Sequence, residues 1–134
     1  MNVSPYLYFE GRCEEAIEFY RKTLGIEVTA ISRFKDAPTN EMCPPGGEDK
    51  TMHMTFRLGD LTVMASDGRC SGKPKFDGFS LSLAMNDTAK AEKAFAALGE
   101  GGKVVTPMTS TFFAKKFGML ADQFGLMWLI FVPV

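Results

Sequence analysis

An internal repeat constrains the fold of this 134-residue chain more than any other feature of its sequence. Residues 5–25 and residues 79–99 each combine a short apolar segment with a longer one whose apolar residues recur at helical spacing, and each ends in glycine. The aligned pairs are Leu7 with Leu81, Phe9 with Leu83, Ile17 with Ala91, Leu24 with Leu98 and Gly25 with Gly99. A fold of two like modules buries a seam, and such a seam is a common place for a small-molecule site.

Each half of the chain continues into strand-like segments separated by turn residues. In the first half we expect strands at 3–9, 26–34, 52–58 and 61–66, with a helix at 13–24. In the second half we expect strands at 78–85, 103–108, 111–121 and 126–132, with a helix that begins after Asp87 and ends at the glycines from 99 to 102. The order is therefore β-α-β-β-β twice.

The repeat predicts an α+β fold of paired βαβββ modules. Module 1 covers about 1–67, a linker covers about 68–77, and module 2 covers about 78–134. One helix per module should cover the outer face of a curved mixed sheet, so that the paired modules enclose a cavity on the other face.

Alternation along the strands assigns side chains to the two faces of this sheet. Leu7 matches an apolar residue in the repeat and should face the helix, so its neighbours Tyr6 and Tyr8 should face the cavity. In strand 52–58 the same alternation places His53 and Arg57 on the cavity side.

Composition excludes several classes of function. Hydrophobic residues make up 46% and charged residues 23% of the chain, and its formal net charge is −1, so we expect no binding of nucleic acid or of an anionic membrane surface. The sequence predicts no membrane span and no signal peptide, which makes the cytoplasm the expected location. The three cysteines are widely spaced and odd in number, which argues against a disulfide framework or a metal knuckle.

A polar segment at 35–52, rich in proline and glycine, is the longest predicted loop. Loops of this length often serve as lids or contact partners, and the alternative is a simple surface loop.

Two segments resemble a known family. Residues 5–20, which begin Pro-Tyr-Leu-Tyr-Phe-Glu-Gly, and residues 111–128, which begin Thr-Phe-Phe-Ala-Lys-Lys-Phe-Gly, resemble the PhnB-like branch of the vicinal-oxygen-chelate superfamily. This superfamily includes glyoxalase I, bleomycin-resistance proteins and extradiol dioxygenases. The chain departs from the branch at Phe113, Gln123 and Leu126, where Trp, Pro and a polar residue are often found. The resemblance implies a single glyoxalase-like domain over 1–134, a concave cavity and a homodimer.

The resemblance also indicates where a metal ion would bind. Metal-dependent members hold one divalent ion with His, Gln or Glu from strands of both modules, and the matching positions here lie near 5–6, 63–64, 78–79 and 128–129. None of these positions carries such a residue, so we predict no metal ligands and no cofactor. A divalent metal would need other ligands, for which His53 with Glu10, Asp67 or Tyr8 is the candidate set.

Proteins of this branch often carry a demethylubiquinone methyltransferase name. This chain lacks a glycine-rich turn from strand to helix of the kind that a nucleotide-like methyl donor would use, so that activity is not carried over.

The sequence thus favours a small-molecule-binding protein without the standard metal site. The predicted ligand-binding residues are Tyr6, Tyr8, His53, Arg57, Phe112 and Leu129. The expected partners are a small molecule and a second copy of the chain. One alternative is a metal-dependent lyase, isomerase or dioxygenase with non-standard ligands, and another is a protein whose own side chains fill the cavity.

Overall fold

Each half of the chain forms a βαβββ module in the computed structural model, which describes residues 1–134. The chain divides into a first unit, Met1–Pro74, and a second unit, Lys75–Val134. The first unit contains β1 (Tyr6–Tyr8), α1 (Cys13–Leu24), β2 (Glu27–Arg33), a 3-10 turn (Phe34–Asp36), β3 (Thr51–Leu58) and β4 (Leu61–Ser66). The second unit contains β5 (Leu81–Ala84), α2 (Thr88–Gly99), β6 (Lys103–Thr109), β7 (Ala114–Ala121) and β8 (Met127–Pro133). The predicted element order and fold class are confirmed.

The two units share one strand topology. The first sheet has the order β1-β4-β3-β2, and the second has the equivalent order β5-β8-β7-β6. In each sheet the first strand pairs in parallel with the last one, while the remaining neighbours are antiparallel. Both sheets are therefore mixed.

Helix α1 forms where apolar spacing and end signals agree. Its buried stripe consists of Cys13, Ala16, Ile17 and Tyr20. Acidic residues occupy its first turn and basic residues its last, which suits the helix dipole. Asp87 is the N-cap of helix α2, and its Oδ1 accepts a hydrogen bond from the Lys90 amide at 3.0 Å. Neither 12-residue helix is long and apolar enough to cross a bilayer.

Burial in the first sheet follows the predicted alternation. Leu7, Met54 and Phe56 are each 2% exposed. The alternate residues Tyr6, His53 and Thr55 are half-buried, and Tyr8 and Arg57 are exposed. One face of this sheet therefore belongs to the core, whereas the other carries the polar and aromatic side chains.

The structure shortens the first strand of each unit relative to the prediction. The regular part of β1 is only Tyr6–Tyr8, although one further hydrogen bond to β4 flanks it on each side. Pro5 O accepts from the Met64 amide, and the Phe9 amide donates to Ser66 O. In β5 the start is delayed because Gly78 has a φ of 78°, which is left-handed rather than extended. The 3-10 turn after β2 is not evident in the sequence; there the Arg33 amide donates to Asp36 Oδ2 at 3.1 Å.

Candidate functional site

A cavity of about 910 Å³ opens in the first unit, beside β1 and the segment 41–45. Its volume lies within the range of about 300–1,000 Å³ that is typical of small-molecule sites. We call it the aromatic cavity. Its lining is Tyr6, Tyr8, Glu10, Phe34, Glu41, Met42, Cys43, Pro44, Pro45, Met52, Ser66, Gly68 and Arg69.

Two stacked tyrosines form one wall of the aromatic cavity. Tyr6 and Tyr8 are two residues apart on β1, so that both side chains project from the same face of the sheet. Their ring centroids are 4.9 Å apart with an angle of 30° between the ring planes. Tyr8 remains 54% exposed, which leaves a flat aromatic surface open to a ligand.

A chain of hydrogen bonds runs from Tyr6 across the sheet. The Tyr6 hydroxyl lies 3.2 Å from His53 Nδ1, and His53 Nε2 lies 3.1 Å from Thr55 Oγ1. Sheet register explains the arrangement, because Tyr6 pairs with Met64 on β4 and Met64 pairs with Thr55 on β3. Both nitrogens of the only histidine are thus engaged with hydroxyl groups.

Another part of the lining comes from the loop between the 3-10 turn and β3. The base of the loop is closed by Phe34 and Lys35, whose amides donate to Lys50 O at 3.1 Å and to Glu48 O at 2.9 Å. The Lys35 ammonium also donates to Asp49 Oδ1 at 3.0 Å, and this hydrogen bond lowers the pKa of the Asp49 carboxyl. The two ends of the loop that contains 41–45 are therefore joined by hydrogen bonds. From the sequence alone, this loop could be interpreted only as a lid, a contact segment or a surface loop.

Backbone turns bring the remaining part of the lining close to β1. Glu10 has a φ of 52°, and its carbonyl accepts from the Gly72 amide at 2.6 Å. Gly68 has a φ of 54°, and a Cβ at this position would collide with the Glu10 carboxylate. A side chain at position 68 would thus be both strained and obstructed, which keeps this side of the cavity open.

Asp67 holds together the elements around the aromatic cavity. Its carboxylate is 1% exposed; Oδ1 accepts from the Gly11 and Cys13 amides at 3.1 and 2.7 Å, and Oδ2 accepts from the Thr51 amide at 2.7 Å. These contacts join the ends of β1 and β4 to the starts of α1 and β3. The carboxylate also lies at the N-terminus of α1, where a negative charge is favourable.

The structure brings together some of the predicted ligand-binding residues and not others. Tyr6 and Tyr8 line the aromatic cavity, and His53 is hydrogen-bonded to Tyr6. Arg57 lies on the same strand as His53, opposite Glu27 and Thr62, and is not part of this lining.

The other two predicted residues belong to the second unit. Phe112 is 96% exposed and contacts the edge of Phe113, with ring centroids 5.3 Å apart. Leu129 lies on β8 between Ser82 and Met119. Neither residue lines the aromatic cavity of the first unit.

Several lining residues were absent from the predicted site. Phe34, Met42 and Arg69 lie in segments that the sequence identified as a strand end, a loop and a linker. Only the length and proline content of the loop hinted at a function. Arg69 contributes a positively charged residue to the lining, which also contains the acidic residues Glu10 and Glu41.

The residues present do not fit the divalent ion that the resemblance implies. A metal site requires several donors of suitable type that converge. At the expected positions, the Tyr6 hydroxyl is engaged with His53, and Trp128 Nε1 donates to Asp122 Oδ2 at 3.0 Å. No group of three or more His, Cys, Asp or Glu side chains in residues 1–134 is placed to hold a metal ion.

The alternative ligand set around His53 is not assembled either. Its ring nitrogens contact Tyr6 and Thr55, whereas the Asp67 carboxylate accepts from three backbone amides. Glu10 Oε2 accepts from the Arg69 amide at 3.4 Å.

Two of the cysteines are poor nucleophiles. Burial, reinforced by the nearby Asp67 charge, raises the pKa of the Cys13 thiol to about 12. Burial and the same charge also raise the pKa of Cys70. Because the thiolate is the reactive form, neither residue is activated near neutral pH.

Comparisons with known proteins identify a family model and solved structures that match almost the whole chain. Residues 1–131 match the family model described as 3-demethylubiquinone-9 3-methyltransferase. The crystal structure of protein PA1353 from Pseudomonas aeruginosa is 37% identical, with 99% of this chain and 98% of that chain covered and a TM-score of 0.86. A PhnB protein from Bacillus cereus is 29% identical, with 99% and 100% covered and a TM-score of 0.83.

A more distant structure shares the fold alone. The glyoxylase/bleomycin resistance protein/dioxygenase domain from Frankia is 16% identical, with 99% of this chain and 95% of that domain covered and a TM-score of 0.67.

Proposed function

The chain belongs to the PhnB-like 3-demethylubiquinone-9 3-methyltransferase family of the vicinal-oxygen-chelate superfamily, and from that membership we propose that it binds a small molecule in the aromatic cavity without a metal ion. The stacked Tyr6–Tyr8 wall carries the proposal. A stacked tyrosine pair whose outer ring, Tyr8, is exposed beside a cavity of about 910 Å³ is a surface on which a flat ring can stack.

The chemistry of the lining limits the ligand. Met42, Met52 and the two prolines offer apolar contacts, and methionine side chains adapt to irregular shapes. The charges of Glu10, Glu41 and Arg69 can orient polar substituents. A planar, largely apolar molecule with one or a few polar groups suits such a surface.

The proposal does not include methyl transfer. A donor resembling a nucleotide would use free amides at a helix N-terminus, but Asp67 already occupies the Gly11 and Cys13 amides at the start of α1. These two amides are therefore not available to such a donor.

The test compares two truncations in the first unit. Tyr8→Ala removes half of the stacked wall, whereas Leu61→Ala removes a partly exposed side chain at the β3–β4 turn, outside the cavity lining. Planar aromatic compounds that raise the melting temperature of the intact chain are then titrated against each variant.

We expect Tyr8→Ala to weaken binding by about 2- to 12-fold, since an aromatic pair contributes about 0.5–1.5 kcal/mol beyond area burial, and we expect Leu61→Ala to have no effect. Equal affinities in the two variants, or a panel in which no compound raises the melting temperature, would refute the proposal.

A further inference from the structure

We propose that the Tyr6 hydroxyl is a fixed hydrogen-bond acceptor that recognises a hydroxyl group of the ligand, of the phenol or enol class. This inference rests on the proposed function, because it concerns a ligand in the aromatic cavity. Tyr6 is the residue that joins the cavity lining to the polar chain leading to His53 and Thr55.

Both nitrogens of His53 are occupied, which restricts the orientation of its ring. Nδ1 lies 3.2 Å from the Tyr6 hydroxyl, and Nε2 lies 3.1 Å from the Thr55 hydroxyl. A neutral imidazole has one nitrogen that donates and one that accepts. The two hydroxyl groups must therefore play opposite roles, one giving a proton to the ring and the other accepting one.

The relative acidities of the groups assign these roles. A phenol O–H is a stronger donor than an aliphatic hydroxyl, so Tyr6 is the better partner for the accepting nitrogen. In this arrangement Tyr6 donates to His53 Nδ1, and His53 Nε2–H donates to Thr55 Oγ1. The only proton of the Tyr6 hydroxyl is then committed to His53.

A hydroxyl whose proton is committed presents only its lone pairs to the cavity. A ligand that brings an O–H can donate to Tyr6 Oη and extend the chain, whereas an ether at the same position offers oxygen against oxygen. A site built to pair with a hydroxyl rejects an analogue that lacks the proton, because the acceptor lone pairs of the site are then left without a donor. His53 acts through Tyr6 and is a positioning residue.

The experiment uses two probes that share one ring system, of which the second has a methyl group in place of the hydroxyl proton. The intact chain is titrated with 2-naphthol and with 2-methoxynaphthalene, and the ratio of their dissociation constants is measured by fluorescence. We expect 2-naphthol to bind about fivefold more tightly, the value typical of one neutral hydrogen bond. The ratio is informative because a general loss of structure weakens both probes alike.

Four variants test the role of the Tyr6 hydroxyl and the role of His53 independently. Tyr6→Phe preserves the ring and should bring the ratio close to one. His53→Leu should also lower the ratio, whereas His53→Asn keeps an acceptor oxygen and should retain a preference for 2-naphthol. Thr62→Val removes an exposed hydroxyl of β4 outside the cavity lining and should change neither affinity.

The outcomes distinguish this inference from the proposed function. If both probes bind the wild-type chain equally, or if Tyr6→Phe leaves the ratio unchanged, the inference is wrong and the aromatic cavity stands as a binding site. If neither probe binds, both proposals are wrong for planar aromatic ligands.

Discussion

Asp67 is the residue on which the geometry of the first unit most depends. Its buried carboxylate receives three backbone amides, from the β1–α1 turn, the start of α1 and the start of β3. An amide left without a partner in such a place costs about 1–3 kcal/mol. The arrangement explains how a short strand such as β1 can hold two tyrosines in a defined orientation.

Substitution of Asp67 tests this role. We expect Asp67→Ala to lower the free energy of unfolding by about 3 kcal/mol or more, because three amides lose their acceptor. Asp67→Asn keeps one acceptor oxygen and should cost less. The exposed Asp60 at the β3–β4 turn is the control, and Asp60→Ala should change stability by less than about 0.5 kcal/mol in urea denaturation. Losses of similar size for both alanine variants would contradict the assignment.

At the scale of elements, the sequence repeat conceals a difference between its two glycines. Gly25 follows α1 with a φ of 68°, and its amide donates to Arg21 O at 3.0 Å, so it is a left-handed C-cap. Gly99 is the last residue of α2 and does not adopt a left-handed conformation; Gly101, with a φ of 76°, takes the positive angle instead. Equivalent positions in the alignment thus have different conformations.

The two glycines are expected to respond differently to alanine. Gly25→Ala should destabilise the chain by about 1 kcal/mol, because the position has open space but a left-handed backbone. Gly99→Ala should be neutral or slightly stabilising, because a Cβ there makes ordinary contacts with Leu120 and Val104 and alanine favours a helix. Thermal unfolding of the two variants measures the difference. A destabilisation by Gly99→Ala as large as that by Gly25→Ala would disprove this interpretation.

Local periodicity explains why the elements were predictable. The apolar stripe of α1 and the alternation in β3 each involve residues close together in sequence. The type and extent of these two elements therefore follow from residue spacing alone. The exposure of Tyr8 against the burial of Leu7 follows from the same rule. The 3-10 turn after β2 depends instead on local hydrogen bonds, from the Arg33 amide to Asp36 Oδ2 and from the Ala37 amide to Phe34 O, which carry no periodic signal.

The site was only partly predictable because its contacts are distant in sequence. Alternation assigned Tyr6 and His53 to the same face, but their hydrogen bond depends on the register through β4. Alternation placed Arg57 on the same face of β3 as His53, but Arg57 lies four residues further along the strand and does not line the aromatic cavity. The wall at 41–45 belongs to a loop, and spacing alone could not predict its position.

In the molecule as a whole, two units with the same topology and membership of the PhnB-like family are consistent with each other. The family relationship and the βαβββ fold agree with the sequence repeat. Assembly with a second copy stays a prediction from the resemblance. The chain differs from the metal-dependent members of the superfamily in the residues at the expected ligand positions, which are engaged in hydrogen bonds or are apolar.

The most direct test of the central claim is the affinity of an aromatic ligand before and after metal removal. The intact chain is treated with a strong chelator, its metal content is verified by elemental analysis, and 2-naphthol is titrated again. If binding needs no metal ion, we expect the dissociation constant of 2-naphthol to stay unchanged within about twofold. A loss of binding on chelation that stoichiometric zinc, nickel or manganese restores would contradict it.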